Sequence, residues 1–403
     1  MAQVMSGKSM KVLMISTEYP PMNGGVGRYT ANLTKCLQKG DIEIIVVCNE
    51  KGNGDIGGIS PFNERNSDIL LGIVNEVKPD LVHVQYEHGL YGLSLDPIYP
   101  SKTRTNIDAF YNKCKLPIVT TFHSGYTYRQ WMNLVVPLNK TGKDSKTRVY
   151  ARMLGEFWKH LLNYNSFHLL NTRKLGPNRY GIVFSKYLSE RIPGTQVIYH
   201  GSEPFVPYSV SKSIAKKLFS IPEDFKIALA LGFETKTKGW DILNKIKVPN
   251  GWKIVLNSSK NHYNHEITKY HFENSNIIDL NRGFLNDFEL SYLFRSSDVL
   301  LLPYKVCSAS GVMFDGLAHG LPFISSNIGF FREFASRGLG MSVNRSADEF
   351  SSALRAIDKQ YYSYKMNVDQ FKQNLLWSNI AESHKALYAK MIQNKAADIL
   401  ISG

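Results

Sequence analysis

The sequence is poor in the features that accompany disulfide, redox and membrane chemistry. Its 403 residues include only four cysteines, Cys36, Cys48, Cys114 and Cys307, whose spacing fits neither a metal site nor a redox pair. No run approaches the roughly 18–20 consecutive apolar residues of a membrane helix. Residues 1–9 lack the apolar core of a secretory signal. We therefore expect a cytoplasmic protein with reduced thiols.

Several catalytic and binding motifs are also missing. There is no His-Glu-x-x-His segment and no Asp-x-Asp at a strand end that could hold a metal–diphosphate complex. We therefore expect no essential metal and no cofactor. The pattern Gly-x-Gly-x-x-Gly of dinucleotide sites is absent too. No zinc-finger, helix-turn-helix or RNA-binding pattern occurs, so a nucleic-acid partner is not expected.

The chain does carry an excess of positive charge, +14 from 48 basic and 34 acidic residues. Residues 126–192 hold twelve basic residues, Arg129 among them, against three acidic ones, interleaved with aromatic residues such as Trp131. Two interpretations remain open. The segment is either an ordinary solvated face or a surface for anionic lipid headgroups, which would place the protein peripherally at the inner membrane face.

Short apolar runs alternate with helical patterns along the whole chain, which predicts two doubly wound parallel α/β sheets. We expect one Rossmann-like domain over residues 10–202 and a second over 207–373, with a final helix within 377–403. Ligands of such sheets bind outside the carboxyl ends of the strands. The predicted strands are residues 10–16, 42–48, 80–85, 117–123, 167–172, 181–185 and 196–201, then 225–233, 252–259, 276–280, 298–304 and 322–327.

A glycine-rich segment follows the first predicted strand and opens the first predicted helix. Gly24 and Gly25 permit a sharp turn and a close approach of backbone to ligand. The helix start presents free N–H groups that suit a phosphate. A purely structural turn explains the same pattern, so this segment alone decides nothing.

Two segments in the second half also suit an anion. Lys236 and Lys238 follow a strand, where a lysine can pair with a diphosphate, although a plain surface lysine is the alternative. Near residue 311 a small-residue loop enters a helix, and Asp315 is expected on its first turn, either binding ribose hydroxyls or stabilising the helix dipole. The anion-binding groups predicted there are Ser308, Ser310, Gly311 and Val312.

Polar residues end several strands of the first half. Glu87 and His88 follow the third strand, His123 closes the fourth and His200 the last. A single histidine at a strand end is commonly structural, but several at one sheet edge indicate a site. The acceptor-side candidates are Glu87, His88 and Arg129.

Taken together, these pieces resemble glycosyltransferase family 4, whose members have the GT-B fold. The resemblance implies two Rossmann-like domains facing a central cleft, with a C-terminal helix crossing back to the first domain. It covers nearly the whole chain. It rests on EYPPxxGGVGRY, VHVQYEHGLYG, PIVTTFHS, VFSKY, VIYHGSE, GFxxxxKGWDIL, SDVLLLPY, SGVxxxxLAHGLPFI and WSNIAESHKALY.

The resemblance also implies a reaction. It is retaining, metal-independent transfer of a hexose from a UDP- or GDP-linked sugar to a glycan or lipid-linked acceptor. Its implied catalytic residues are His123 near the donor sugar, Lys238 on the diphosphate and Asp315 on the ribose. Gly24 and Gly25 approach the donor, and Ser310, Gly311 and Val312 cap its phosphates.

The chain departs from the family pattern at two positions. A glutamate that usually contacts the transferred sugar falls on Cys307, and an arginine that usually partners the lysine falls on Phe233. These departures leave the identity of the transferred sugar open. They also keep an alternative open, a non-catalytic nucleotide-sugar-binding protein that retains the fold. Another GT-B enzyme class, such as an epimerase, is a third.

Overall fold

The computed structural model describes residues 9–40, 42–94, 102–135, 161–162, 164–207, 209–260, 263 and 270–402, with the backbone alone for 133–135 and 396–402. Its contacts divide the chain into two compact units. Unit 1 comprises Met1–Ile198 together with Ala381–Gly403, and unit 2 comprises Tyr199–Ile380.

Unit 1 is built on a six-stranded parallel sheet in the order β2-β1-β3-β4-β5-β6. Every residue of β3 and β4 is buried, including the polar His83 and Gln85 of β3, as is typical of parallel strands covered on both faces. The strand order reverses beside β1, the position where open α/β sheets bind ligands. The strands are β1 (Met10–Ile15), β2 (Ile42–Val47), β3 (Leu81–Tyr86), β4 (Ile118–Phe122), β5 (Arg179–Val183) and β6 (Thr195–Val197).

Unit 2 repeats this plan with the order β12-β11-β10-β7-β8-β9, again all parallel. Here the order reverses between β7 and β10. The core contains Trp240 and Trp252, both almost fully buried with aliphatic residues of β7, β8 and β10. The strands are β7 (Lys226–Phe233), β8 (Trp252–Ser259), β9 (Ile277–Asp279), β10 (Val299–Leu302), β11 (Phe323–Ser326) and β12 (Gly340–Val343).

Helices lie between most consecutive strands, because parallel pairing needs a crossover connection. Of the helices in the described residues, the longest is the last, whose residues from Ala381 onward belong to unit 1. A further helical stretch spans 164–172. The helices are α1 (Gly25–Gln38), α2 (Asn66–Val77), α3 (Asp108–Lys113), α4 (Tyr128–Val135), α5 (Lys186–Arg191), α6 (Lys212–Leu218), α7 (Asp287–Arg295), α8 (Gly311–Ala318), α9 (Gly329–Ala335), α10 (Ala347–Lys359), α11 (Tyr361–Phe371) and α12 (Trp377–Ser402).

The doubly wound α/β fold is confirmed, with two local corrections. Residues 167–172, predicted as a strand, are helical, because Phe167 and Leu170 are buried at helical spacing while Leu169 is exposed. The strand β12 was not predicted, since only the first of its four residues is buried. The segment after Lys238 is a short 3-10 helix, Trp240–Lys245.

Candidate functional site

Lys238 lies just past the end of β7, beside the position where the strand order of unit 2 reverses. Its ammonium donates a hydrogen bond to the Tyr304 hydroxyl oxygen, with 2.9 Å between Nζ and Oη. The same Nζ lies 4.0 Å from the centre of the Tyr304 ring. Gly232, at φ 144°, lets the lysine pass, because a Cβ there would lie 3.0 Å from the Lys238 Cε. The strand end therefore carries a fixed positive charge.

The loop that holds Lys238 is fastened to the loop after β10. The backbone N–H of Lys305 donates to the Thr237 carbonyl at 2.8 Å. The Arg345 guanidinium donates to the carbonyls of Pro303 and Gly239, each at 2.9 Å. Gly239 has φ 69°, and a Cβ there would lie 2.0 Å from the Pro303 oxygen, so only glycine fits. The two loops consequently position Lys238 as one structure.

Helix α8 begins at the same sheet edge. Ser310 is its N-cap, and the Ser310 hydroxyl accepts from the Met313 N–H at 3.2 Å. Ser308 and Ser310 are buried, whereas Gly311 and Val312 remain half-buried. Free N–H groups at this helix start favour an anion. The structure thus brings Lys238 and a phosphate-type helix start to the carboxyl ends of two adjacent strands.

Asp315 lies at the start of the second turn of α8, not on the first turn as predicted. It is the fifth helical residue, not part of the first turn, because the helix begins at Gly311. Only 3% of Asp315 is exposed, and its carboxylate accepts a 2.5 Å hydrogen bond from the Ser202 hydroxyl. A carboxylate held by a serine in this way keeps lone pairs for further donors such as hydroxyl groups.

From the sequence, His200 is one of several strand-end histidines without an individual role, and the structure places it at the start of α8. A Cβ on Gly311 would lie 3.2 Å from the His200 Nε2. The Nδ1 lies 2.9 Å from the Gly201 carbonyl oxygen, so Nδ1 carries the proton. The ring stacks parallel to Phe314, with centroids 5.7 Å apart. The strand-end position was the only sequence signal.

The two departures from the family pattern have clear surroundings. The Cys307 thiol lies 3.3 Å from the Ala309 carbonyl. Burial raises the pKa of Cys307 to about 12, although the Lys238 charge acts in the opposite direction. Phe233 stacks on Phe284, with centroids 6.3 Å apart and the rings inclined by 13°. A neutral thiol and an aromatic pair therefore stand at the two positions where the pattern that the sequence resembles has a carboxylate and a guanidinium.

In unit 1 the α1 start lies at the carboxyl end of β1. Gly24 is the N-cap residue, and a Cβ there would lie 2.1 Å from Oε2 of the buried Glu18. A Cβ on Gly25, the first helical residue, would meet no heavy atom of the described chain within 4 Å. Gly24 therefore makes room for a carboxylate, and Gly25 leaves the helix start open to a ligand.

His123 heads a chain of polar side chains that crosses unit 1. Its Nε2 lies 3.0 Å from the Gln85 Oε1, and the Gln85 Nε2 lies 3.2 Å from the His83 Nε2. The His83 Nδ1 in turn lies 2.6 Å from the Tyr388 hydroxyl on α12. Burial holds the pKa of His83 well below its usual range, and nearby histidines add to this. The orientation of His123 is thus linked to a buried, neutral histidine.

The acceptor-side candidates differ in accessibility. His88 is buried, with Nδ1 3.2 Å from the Ser124 hydroxyl and Nε2 2.9 Å from the Asn171 oxygen. Burial, followed by the Lys174 charge, lowers the pKa of His88 to about 3. Glu87 is half-buried; burial raises the pKa of its carboxyl, and a hydrogen bond from Ser124 lowers it. Arg129 lies exposed on α4.

Some expectations fall partly outside the described chain. Residues 136–160, which hold half of the basic residues of the 126–192 segment, are not described. Across the ranges that are, no three His, Cys, Asp or Glu side chains come together as a metal site. No helix there combines the length and the apolar character that crossing a membrane would need.

Comparison with solved structures identifies the fold class as GT-B. A sucrose-phosphate synthase from Thermosynechococcus elongatus matches with a TM-score of 0.63 at 13% identity, covering 96% of this chain and 100% of that one. A glycosyltransferase from Rickettsia africae matches at 0.62 and 14%, with 96% and 100% coverage. HepE from Anabaena, solved with UDP and glucose, matches at 0.57 and 13%, with 94% and 99% coverage. The predicted GT-B fold is therefore confirmed.

Sequence comparison gives a more limited result. An uncharacterized 41.2 kDa protein from the cps region of Klebsiella pneumoniae is 33% identical over 118 residues. That match spans 29% of this chain and 32% of the length of the Klebsiella protein. No protein-family model matches the chain.

Proposed function

We propose that this protein is a glycosyltransferase of the family 4 type. It transfers a hexose from a UDP- or GDP-linked sugar to a glycan or lipid-linked acceptor, with retention of configuration and without a metal. One observation carries the proposal: the Lys238 ammonium is fixed beside the α8 start, where the strand order of unit 2 reverses. Fixed positive charge and helix N–H groups stabilise a leaving diphosphate.

Unit 2 supplies the donor contacts in this proposal. Lys238 neutralises the diphosphate, and the N–H groups of Gly311 and Val312 bind its oxygens together with the hydroxyls of Ser308 and Ser310. Asp315, already held by Ser202, accepts hydrogen bonds from the ribose. Residues 207–373 form the donor-binding domain.

Unit 1 supplies the sugar and acceptor contacts. Gly25 lets the α1 start approach the donor, and His123 contacts the transferred sugar. Glu87 and Arg129 belong to the acceptor side, whereas the burial of His88 favours an indirect role for it there. Residues 10–202, with 377–403, form this domain.

The solved relatives support a nucleotide-sugar as the donor. HepE was solved with UDP and glucose and with UDP-glucose, and MnaA of S. aureus with UDP. A peripheral position at the inner membrane face rests on the basic content of residues 126–192 alone.

The direct test replaces Lys238 by alanine and measures donor hydrolysis and transfer. A charge-assisted contact is worth about 1.5–3 kcal/mol, so kcat/KM should fall by roughly 10- to 150-fold. The exposed Lys245 provides the matched control, and Lys245→Ala should retain the wild-type rate. Equal rates for Lys238→Ala and wild type would remove Lys238 from the site.

The second candidate, a non-catalytic nucleotide-sugar-binding protein, is favoured by the neutral thiol of Cys307 and the aromatic Phe233 at two family positions. Calorimetry distinguishes the two functions. Donor binding without turnover against a broad pool of acceptors would establish the second.

A further inference from the structure

The Tyr304 hydroxyl can donate a hydrogen bond for which the described residues provide no acceptor. Its Oη accepts a hydrogen bond from the Lys238 ammonium, which has no lone pair to accept one in return. Among the residues that the structure describes, no group accepts the phenol proton. Because Tyr304 is only 3% exposed, leaving this donor unsatisfied costs free energy. A ligand oxygen at this position would remove the cost.

The phenol is held rigidly. Tyr304 lies two residues after the end of β10, and its ring packs edge-on against the buried Phe331, with centroids 5.5 Å apart. The backbone N–H of the neighbouring Lys305 donates to Thr237 in the Lys238 loop, and the carbonyl of Pro303 accepts from Arg345. The lysine itself lies over the ring. A donor fixed in this way loses little conformational entropy when it binds a ligand.

The position of Tyr304 points to the chemistry of the ligand. Three residues separate it from the buried Ser308, which lies two residues before the N-cap of α8, and its hydroxyl accepts a hydrogen bond from the Lys238 ammonium just past the end of β7. The lysine and the free N–H groups of the helix start both favour an anion. Phe233 supplies no second cation beside the lysine. A neutral O–H donor next to an ammonium suits an anion with several oxygens.

We propose that the Tyr304 hydroxyl donates directly to a diphosphate oxygen beside Lys238, so that the two side chains bind the diphosphate as one donor pair. The inference rests on the proposed function, because it concerns the same donor site. Tyr304 thus replaces part of the binding that the family assigns to the arginine at the Phe233 position. Its role is ligand contact and not only orientation of the lysine.

The experiment uses the full chain and compares Tyr304→Phe with wild type by calorimetry. The probes are inorganic pyrophosphate, UDP, GDP, and the nucleosides uridine and guanosine. A phenylalanine keeps the ring beneath the ammonium and removes the hydroxyl alone. We expect affinity for pyrophosphate and for the preferred nucleotide to fall by about tenfold or more. Affinity for the nucleosides should not change.

Tyr362→Phe is the matched control, because Tyr362 is 83% exposed on α11, and it should bind every probe as wild type does. The melting temperature without ligand separates lost contact from lost folding. A Tyr304→Phe chain that melts like wild type and binds pyrophosphate more weakly supports the proposal. Unchanged affinity for pyrophosphate and both nucleotides overturns it.

A double-mutant cycle with Lys238→Met separates contact from orientation. If Tyr304 acts only by placing the lysine, Tyr304→Phe should have no effect once the ammonium is gone. We expect a residual loss of severalfold in that background, and its absence would overturn direct contact. Wild type that binds pyrophosphate but no nucleotide would refute the proposed function and leave the donor pair standing. Wild type that binds no probe would overturn both.

Discussion

At the scale of single residues, two histidines of unit 1 are buried as neutral side chains. The pKa of His88 lies at about 3 and that of His83 well below its usual range, in both cases chiefly because of burial. An unfolded histidine titrates near pH 6.5. Between the lowered pKa of each histidine in the folded chain and its pKa in the unfolded chain, the unfolded chain binds more protons than the folded chain. The free energy of unfolding is therefore unaffected by these two histidines above pH 6.5, and it decreases as the pH falls below 6.5.

We expect the free energy of unfolding of unit 1 to decrease below pH 6.5 by up to about 1.4 kcal/mol per pH unit for each histidine. Urea unfolding at several values between pH 5 and pH 7 measures this slope. His88→Gln should remove the contribution of one histidine and so make this slope shallower by up to about 1.4 kcal/mol per pH unit. His271→Gln, at an exposed position of unit 2, should leave it unchanged, and a slope independent of His88 would contradict the assignment.

Single residues also show what the sequence could predict of the site. Lys238, Ser310 and Gly311 follow from strand ends and helix starts, which are local patterns. Tyr304 does not, because its partner lies 66 residues earlier in the chain. The link from His83 to Tyr388 spans 305 residues. Side-chain pairs of this kind depend on tertiary packing, and no window of sequence contains them.

At the scale of elements, the start of α1 offers a matched pair of glycines. A side chain on Gly24 would collide with the Glu18 carboxylate, whereas one on Gly25 would meet open space. We expect Gly24→Ala to destabilise unit 1 by about 1–3 kcal/mol, the usual cost of overpacking. Gly25→Ala should fold with wild-type stability and raise the KM for the donor, because the new methyl group blocks close approach to the helix start.

Chemical denaturation and donor kinetics on the two variants measure these effects separately. If Gly25→Ala keeps both its stability and its KM, the α1 start does not approach the donor. The reverse pattern, an unstable Gly25→Ala beside a stable Gly24→Ala, would contradict the packing described for Glu18.

The elements also explain where sequence-based prediction ended. Runs such as residues 252–259 were assigned correctly, because they alternate with helices and bury most of their residues. Residues 167–172 were not, since a six-residue run rich in apolar residues fits a strand or a helix equally well. Their neighbours settle the matter: Phe167 packs on His88 and Trp131. β12 was missed because three of its four residues are only half-buried.

At the scale of the whole molecule, the two units should respond differently to a nucleotide. A ligand protects amides where it binds and stabilises the native state. We expect UDP or GDP without a sugar to slow hydrogen exchange in unit 2, at residues 236–240 and 308–313. The α1 start of unit 1 should not be protected until a sugar is attached to the nucleotide.

Hydrogen exchange measured by mass spectrometry, with and without each ligand, tests whether unit 2 binds the nucleotide and unit 1 the sugar of the donor. The chain without ligand provides the baseline, and the nucleoside alone provides the control for the base. Protection that appears first at residues 24–28 would reverse the assignment of the two units.

The division of the chain into units also bears on its synthesis. Unit 2 is one continuous segment, but unit 1 also includes the part of α12 from Ala381 onward. There the Tyr388 hydroxyl lies 2.6 Å from the His83 Nδ1, although the two residues are 305 positions apart. At about 5–20 residues per second, a ribosome makes Tyr388 roughly 15–60 s after His83. During that time the nascent sheet of unit 1 lacks the helix that covers His83. The domain made first is therefore completed last, because its contact at His83 cannot form until the residues of α12 have been made.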